Sequence, residues 1–338
     1  MENGDHLVFQ VGRVAPRAPL RNIPNGARSE APYRWVFGVR CWLLDVPKKF
    51  GIISEMKNSN SIPRRHFLQL SALGVAGATL GLAGCATTKA AMKKKIPVGL
   101  QMYSVRNECK TDFPGTIAQV AKIGYQGVEF AGYWGRSARE IRQMVDDHGL
   151  VTCGTHTPFE DLQPDKIDAT IEFNQILGNK FIICPYMTGK SREEWLAHAK
   201  MFNALSDKLR PLGLWTGYHA HSHDFQEFDG ETAWDIFFGN TKMEVIMQLD
   251  TSNCCDGGAD PVVVLNQYPG RVRTIHIKPN GGSPEAIIGE DKINWPGVFE
   301  FCETRGNTQW YVVEHETSQH PLETVRRTYE KLKELGKV

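Results

Sequence analysis

Gly217-Tyr218-His219-Ala220-His221 is a short apolar run that ends in two imidazoles set two residues apart. Three further stretches repeat the pattern with other polar ends: MQLDTSN (247–253), TIHIK (274–278) and YVVEHE (311–316). Each carries a metal-ligating or acid/base side chain to the C-terminal end of a strand-like segment. In a barrel of parallel strands the chemistry collects at that end, because each strand fixes the direction of the side chain it presents.

Working outward from these four, apolar runs rich in Val, Ile, Phe and Tyr begin near Ile96, Gly124, Leu150, Asn179, Leu214, Glu244, Val272 and Thr308. Helix-start signals lie between them. Ser137 with Glu140 and Ser191 with Glu194 read as capping boxes, and Asp260-Pro261 and Trp295-Pro296 place proline at a first helical position. Eight strands alternating with helices predict parallel βαβ units and an α/β fold, a single-domain (β/α)8 TIM barrel over residues 96–338. An open doubly wound sheet is the competing arrangement. It usually carries a glycine-rich phosphate loop after its first strand, and LQMYSVRNE (100–108) has none.

The front of the chain reads as an address. Pro63-Arg64-Arg65-His66-Phe67-Leu68 precedes an uncharged apolar run, Leu70 to Gly84, that ends in Leu82-Ala83-Gly84-Cys85. Paired arginines before a modest hydrophobic stretch predict a twin-arginine export signal, and the small-residue tetrapeptide predicts a bacterial lipoprotein cleavage site with Cys85 as the lipidated residue. The run is too short and too rich in Gly and Ala to span a bilayer well. Residues 56–85 are therefore the expected signal, 86–95 a small, basic tether, and 1–55, which hold no steady periodicity, an over-extended start before the true initiator Met56. The expected location is the periplasm or the membrane surface, with the membrane touched only through the lipid.

A formal net charge of +1 leaves no electrostatic footprint for nucleic acid, which is excluded as a partner. The eight cysteines contain no CxxC pair, and Cys153 and Cys184 fall inside apolar runs, so these two are expected to be buried thiols. The adjacent Cys254 and Cys255 follow the Asp250 segment, where ligation of one metal by neighbours is geometrically awkward.

Alternation sorts the strand ends, since residues two apart share a face: His219 with His221, and His276 with Lys278. His219, Asp250, His276 and Glu314 come from four successive strands, and two imidazoles with two carboxylates suit Mn²⁺, Zn²⁺, Fe²⁺ or Co²⁺ better than Ca²⁺. Lys278 is placed to hold a substrate oxygen, and His156 and Glu129 are expected to face the same mouth, Glu129 equally as a structural acceptor. His221, Asn253, Tyr103 and Trp134, with Tyr133, are candidate substrate contacts, the aromatic rings as faces for a sugar. His223 and Asp224 belong to the loop after the fifth strand and could orient a ligand.

From Val98 to Leu335 these motifs resemble the sugar phosphate isomerase/epimerase family, the xylose isomerase-like group of TIM barrels. The resemblance rests on VGLQMYSVR (98–106), GYQGVEFAGYWGRS (124–137), GTHT (154–157), GYHAHSHDF (217–225), MQLDTSN, HIKP (276–279), IGEDKINWPGVFE (288–300) and VVEHE (312–316). It implies a divalent metal that chelates neighbouring sugar oxygens, held in the order Glu, Asp, His, Glu, and it places Asp250, His276 and Glu314 on the last three positions. His219 stands where many epimerases have the first glutamate, so one carboxylate of a two-base epimerase is missing. The implied activity is isomerisation or epimerisation of a non-phosphorylated sugar or keto-sugar through an enediolate, with Glu314 as base and Lys278, His156 or Glu129 assisting. A lyase or hydratase acting on 3-keto-sugars or inososes is the alternative, and a non-catalytic sugar-binding lipoprotein the third; oligomerisation stays open. Replacing Arg64 and Arg65 together by Lys should block export, and Cys85→Ser should abolish lipidation. Unchanged membrane fractionation of both variants contradicts the address.

Overall fold

The structure, a computed structural model, describes residues 95–338; the expectations for residues 1–94, including Cys85, lie outside it. Among the described residues, eight barrel strands alternate with eight principal helices, and Glu227–Phe228 pairs with Glu231–Thr232 in a separate hairpin. The strands are β1 Val98–Gln101, β2 Gly127–Phe130, β3 Val151–His156, β4 Phe181–Cys184, β5 Trp215–His219, β6 Ile246–Gln248, β7 Thr274–Ile277 and β8 Trp310–Val313. The helices are α1 Phe113–Ile123, α2 Ala138–Asp147, α3 Ile167–Leu177, α4 Arg192–Leu209, α5 Ala233–Gly239, α6 Pro261–Gln267, α7 Trp295–Thr304 and α8 Pro321–Glu334.

All barrel strands pair in parallel, in the order β6-β5-β4-β3-β2-β1-β8-β7. The remaining seam is stitched by the Asp250–His276 bridge, with His276 N donating to Leu249 O at 2.9 Å. Two metal-ligand candidates therefore sit on the seam itself.

Both faces of these strands are buried, which is why they read as continuous apolar runs rather than alternating ones. One face, with Leu100, Val128, Ile182, Tyr218, Met247, Ile275 and Val313, packs under the helices. The other fills the barrel: Phe181, Ile183 and Ile246 form a separate inner cluster, with Trp215 and Trp310 packed against it. Further along the same face the strands turn polar, at Gln248 two residues beyond Ile246, and at His219 and Glu314 four residues beyond Trp215 and Trp310, so the interior is greasy below and ionisable above.

The helices follow their sequence signals. In α2, Ala138, Ile141 and Val145 are the buried stripe, and Ser137 with Glu140 forms the complete capping box. The box at the start of α4 is only half made: Ser191 accepts from Glu194 N, while the Glu194 carboxylate turns back to accept from Lys190 N at 2.9 Å. Asn294, not Trp295, caps α7, so Pro296 is its second residue. None of the described helices is long and apolar enough to cross a membrane.

Between β2 and β3 the register slips, Val128 facing Thr152 and Glu129 facing Gly154. Glycine is required opposite Glu129, because a Cβ on Gly154 would stand 2.2 Å from Glu129 Oε1. Gly154→Ala should therefore push Glu129 off its partners and lose about 1–3 kcal/mol of stability, read as a lower denaturation midpoint. An unchanged midpoint contradicts this packing.

Candidate metal centre

His276 occupies the middle of the barrel mouth with both ring nitrogens engaged. Nδ1 lies 2.8 Å from Glu314 Oε2 and Nε2 lies 2.6 Å from Glu129 Oε2. With a carboxylate at each end the ring donates twice, as an imidazolium. Burial opposes that charge, but Glu314 and Glu129 outweigh it and raise the pKa of His276 to about 10.

Glu129 is fully buried beneath the mouth. Besides His276 it accepts from Gln101 Nε2 at 3.0 Å and Gln248 Nε2 at 2.9 Å, and His156 Nε2 lies 3.2 Å away. Burial disfavours its charge; His156 and His276 overcome that and hold it well below the usual carboxylate range. Glu314 is likewise held ionised against burial by His276 and Lys278.

The four expected ligands, His219, Asp250, His276 and Glu314, converge: one donor atom from each lies within 4.8 Å of the others. Second partners aim them. His219 Nδ1 is 3.0 Å from Gln248 Oε1, which leaves Nε2 for another partner. Asp250 Oδ1 accepts from Asn253 N at 2.7 Å, and its Oδ2 is buried with no hydrogen-bond partner, 3.8 Å from His276 Nδ1. Burial raises the Asp250 pKa to about 7, with Lys278 opposing and Glu314 adding to the rise. An orphaned, buried carboxylate oxygen among two imidazoles and a second carboxylate is what a divalent transition-metal site leaves when the ion is taken away. The residues fit such an ion, with Glu129 holding His276 from behind as metal-bound imidazoles commonly are held.

Above this cluster opens a cavity of about 490 Å³, whose wall includes Tyr103, Tyr133, His156, His219, His221 and Glu314. His156 stacks on His276, rings 6° from parallel, and approaches Gln248 Oε1 at 2.9 Å. His221 is neutral at pH 7, burial and then His223 lowering its pKa to about 4, and its Nδ1 has no protein partner. Tyr103 is half-open at the rim, with the Arg106 guanidinium over its ring.

Four expected residues are placed elsewhere. Glu129 lies under His276, its Oε2 2.6 Å from Nε2, rather than on the cavity wall. Lys278 stands behind Asp250, 3.7 Å from its Oδ2, with Nζ 2.5 Å from Glu316 Oε1, and is not on this wall. Trp134 takes a left-handed backbone (φ 47°) and packs on Phe113, ring centroids 5.1 Å apart, clear of the cavity. Asn253 spends its amide on Ala220 O at 2.8 Å and its carbonyl on Lys278. Asp224 is buried, accepting from Tyr218 OH and His221 N at 2.7 Å each, so it fixes the loop that carries His221.

Cys153, Cys184 and Cys254 are buried thiols, and Cys255 is partly covered; none joins the metal cluster. Gln101 and Gln248 were not anticipated. Each lies one alternation below a candidate, Tyr103 and Asp250, on the inward face, and that period was the available signal.

A parallel eight-stranded barrel with an ionisable His/Asp/Glu mouth defines a TIM-barrel protein with a candidate divalent-metal centre. Residues 117–335 match the Xylose isomerase-like TIM barrel family, and the chain belongs to it. A sugar phosphate isomerase/epimerase from Parabacteroides distasonis superposes with a TM-score of 0.64 at 25% identity, covering 74% of this chain and 97% of that one. The rhizopine catabolism protein MocC of Rhizobium meliloti is 21% identical, over 64% of this chain and 79% of its own length. An inosose dehydratase of Serratia proteamaculans is 24% identical, over 60% and 82% respectively.

Metal binding should displace the proton from His276 Nδ1. The sign follows: apparent Mn²⁺ affinity rises with pH, approaching tenfold per unit between pH 7 and 9 if one proton leaves, and levels off above the His276 pKa of about 10. Asp250→Ala should abolish stoichiometric binding, and Glu129→Gln should weaken it about 10- to 100-fold. Titration calorimetry in buffers of different ionisation enthalpy reads both quantities; pH-independent binding with no proton released contradicts the site.

Proposed function

We propose that this barrel is a metal-dependent isomerase-type enzyme that enolises a non-phosphorylated sugar or keto-sugar, with Glu314 removing the proton from carbon. The observation that carries the reading is the convergence of His219, Asp250, His276 and Glu314 under a sugar-sized cavity. A divalent metal held by these four would supply Lewis acidity to neighbouring carbonyl and hydroxyl oxygens.

Glu314 is suited to the base role. Its Oε2 is turned to His276, the residue lines the cavity, and the carboxylate stays ionised at neutral pH. Neutral His221 borders the cavity as well. His156 borders the same space. The Tyr103 and Tyr133 rings supply faces for a sugar and cover the bound ring from water. Lys278 acts at one remove, its ammonium 3.7 Å from Asp250 Oδ2 and favouring the charged carboxylate against burial.

A second reading, dehydration of a keto-sugar or inosose, is favoured by two observations. By the family resemblance His219 stands where many epimerases carry a glutamate, which would leave Glu314 without a matching base across the site and suits one-base chemistry over two-base epimerisation. Inosose dehydratases also recur among the relatives. The export address read at Arg64, Arg65 and Cys85 fits both readings, since sugar phosphates are cytoplasmic.

Glu314→Gln should cut solvent-deuterium incorporation at the carbon beside the carbonyl by on the order of 10² to 10⁴. Exchange at the wild-type rate contradicts Glu314 as base. The products assign the second step: proton return gives an isomerised sugar, whereas loss of water gives an unsaturated ketone. His219→Glu should raise epimerisation at the expense of either.

A further inference from the structure

The Lys278–Glu316 ion pair stands as a partition with a cavity on each side. Glu316 lines the main cavity and also borders a second one of about 360 Å³, walled by Ser252, Asn253, Asp256, Asn280, Ser283 and Thr317. Both volumes exceed the ~300 Å³ at which small-molecule sites begin.

The chemistry of the second wall is hydroxyl and amide. Its ammonium, Lys278, is held by Glu316 at 2.5 Å and lies 3.7 Å from Asp250 Oδ2, and Asp256 adds a further carboxylate. A phosphate or carboxylate would meet repulsion there without a free cation to offset it. A neutral polyol would meet matched donors and acceptors.

The cavity is also built before any ligand arrives. The β7–α7 loop that roofs it is tied at several points. Glu285 accepts from Ser318 Oγ at 2.6 Å, Thr324 Oγ1 at 2.5 Å and Gln319 N at 2.6 Å. Arg327 donates to Glu285 O at 3.1 Å and to Glu290 Oε1 at 2.9 Å. Asn280 Nδ2 reaches Asp256 Oδ1 at 2.7 Å and Ser252 Oγ at 3.1 Å across the floor. A loop held in this way does not have to be ordered by its ligand, so contacts made in the cavity are not offset by ordering entropy.

From these observations we infer that the second cavity is a subsite for a second polyhydroxylated ring, so that the substrate is a disaccharide or other glycoside whose reacting ring sits over the metal centre. The inference rests on the sugar reading of the main cavity. The linkage between the two rings crosses the Lys278–Glu316 pair, whose exposed carboxylate can accept from a ring hydroxyl. A monosaccharide would fill the first cavity alone.

The test uses the full chain loaded with Mn²⁺, with fructose and 3-ketoglucose as one-ring probes and maltulose and 3-keto-maltose as two-ring probes. Titration calorimetry should give at least a tenfold tighter Kd for a two-ring probe than for its one-ring counterpart. Ser283→Trp, at an exposed loop position, should fill the second cavity and bring that ratio near one within the variant; Thr317→Trp does the same from the opposite wall, should the first variant fold poorly. Equal affinity of one- and two-ring probes for the wild-type chain overturns the subsite and leaves the sugar reading standing. A ratio that survives both tryptophans overturns its location, and failure of every probe to bind overturns the sugar reading together with the subsite.

Discussion

The mouth of this barrel depends on one cross-piece, the His276 imidazole held between Glu314 and Glu129. Buried carboxylates cost several kcal/mol each unless they are paired and hydrogen-bonded. Here Glu129 and Asp250 are fully buried and Glu314 nearly so. A single ring satisfies two of them, and its own charge is what their proximity stabilises. Removing the ring leaves carboxylates without compensation, which is why the rest of the site is arranged around it.

Gln248 extends the arrangement. Its amide gives Nε2 to Glu129 and Thr274 and takes approaches from His156 and His219 on Oε1, so one uncharged side chain fixes two rings and one carboxylate. The third carboxylate, Asp250, is the exception: one oxygen caps the turn at Asn253, and the other has no hydrogen bond, with Lys278 Nζ at 3.7 Å and His276 Nδ1 at 3.8 Å. His276 Nδ1 lies 2.8 Å from Glu314 and 3.8 Å from Asp250, so its proton sets positive charge between the two carboxylates. A divalent ion held by His219, Asp250, His276 and Glu314 would supply that charge instead, with Glu129 keeping hold of the far side of the His276 ring. The fold supplies the rigidity, because each of these side chains leaves from the end of a different strand or the bridge beside it.

Much of this was legible in the chain. Each apolar run begins within a few residues of its strand, since strands buried on both faces carry continuous hydrophobic sequence. The convergence of His219, Asp250, His276 and Glu314 was legible for the same geometric reason: strand ends in a parallel barrel point to one mouth. What escaped was whatever lay off that line. Gln101 and Gln248 end β1 and β6 one alternation below Tyr103 and Asp250, and an amide among apolar neighbours announces no charge chemistry. Trp134 and Asn253 come after the strand period has ended, one in a left-handed turn and one in a helical turn, so an alternation of two could not direct them. Lys278 keeps the period, yet two carboxylates within reach, Asp250 and Glu316, draw its ammonium away from the cavity.

The account turns on where a metal ion binds. Diffraction from crystals grown with Mn²⁺, recorded near the manganese absorption edge, should show one anomalous peak at the barrel mouth bounded by His219, Asp250, His276 and Glu314, with His276 still donating to Glu129. No peak there, or a peak held by His156, His219 and His276 with Asp250 and Glu314 left outside, contradicts it.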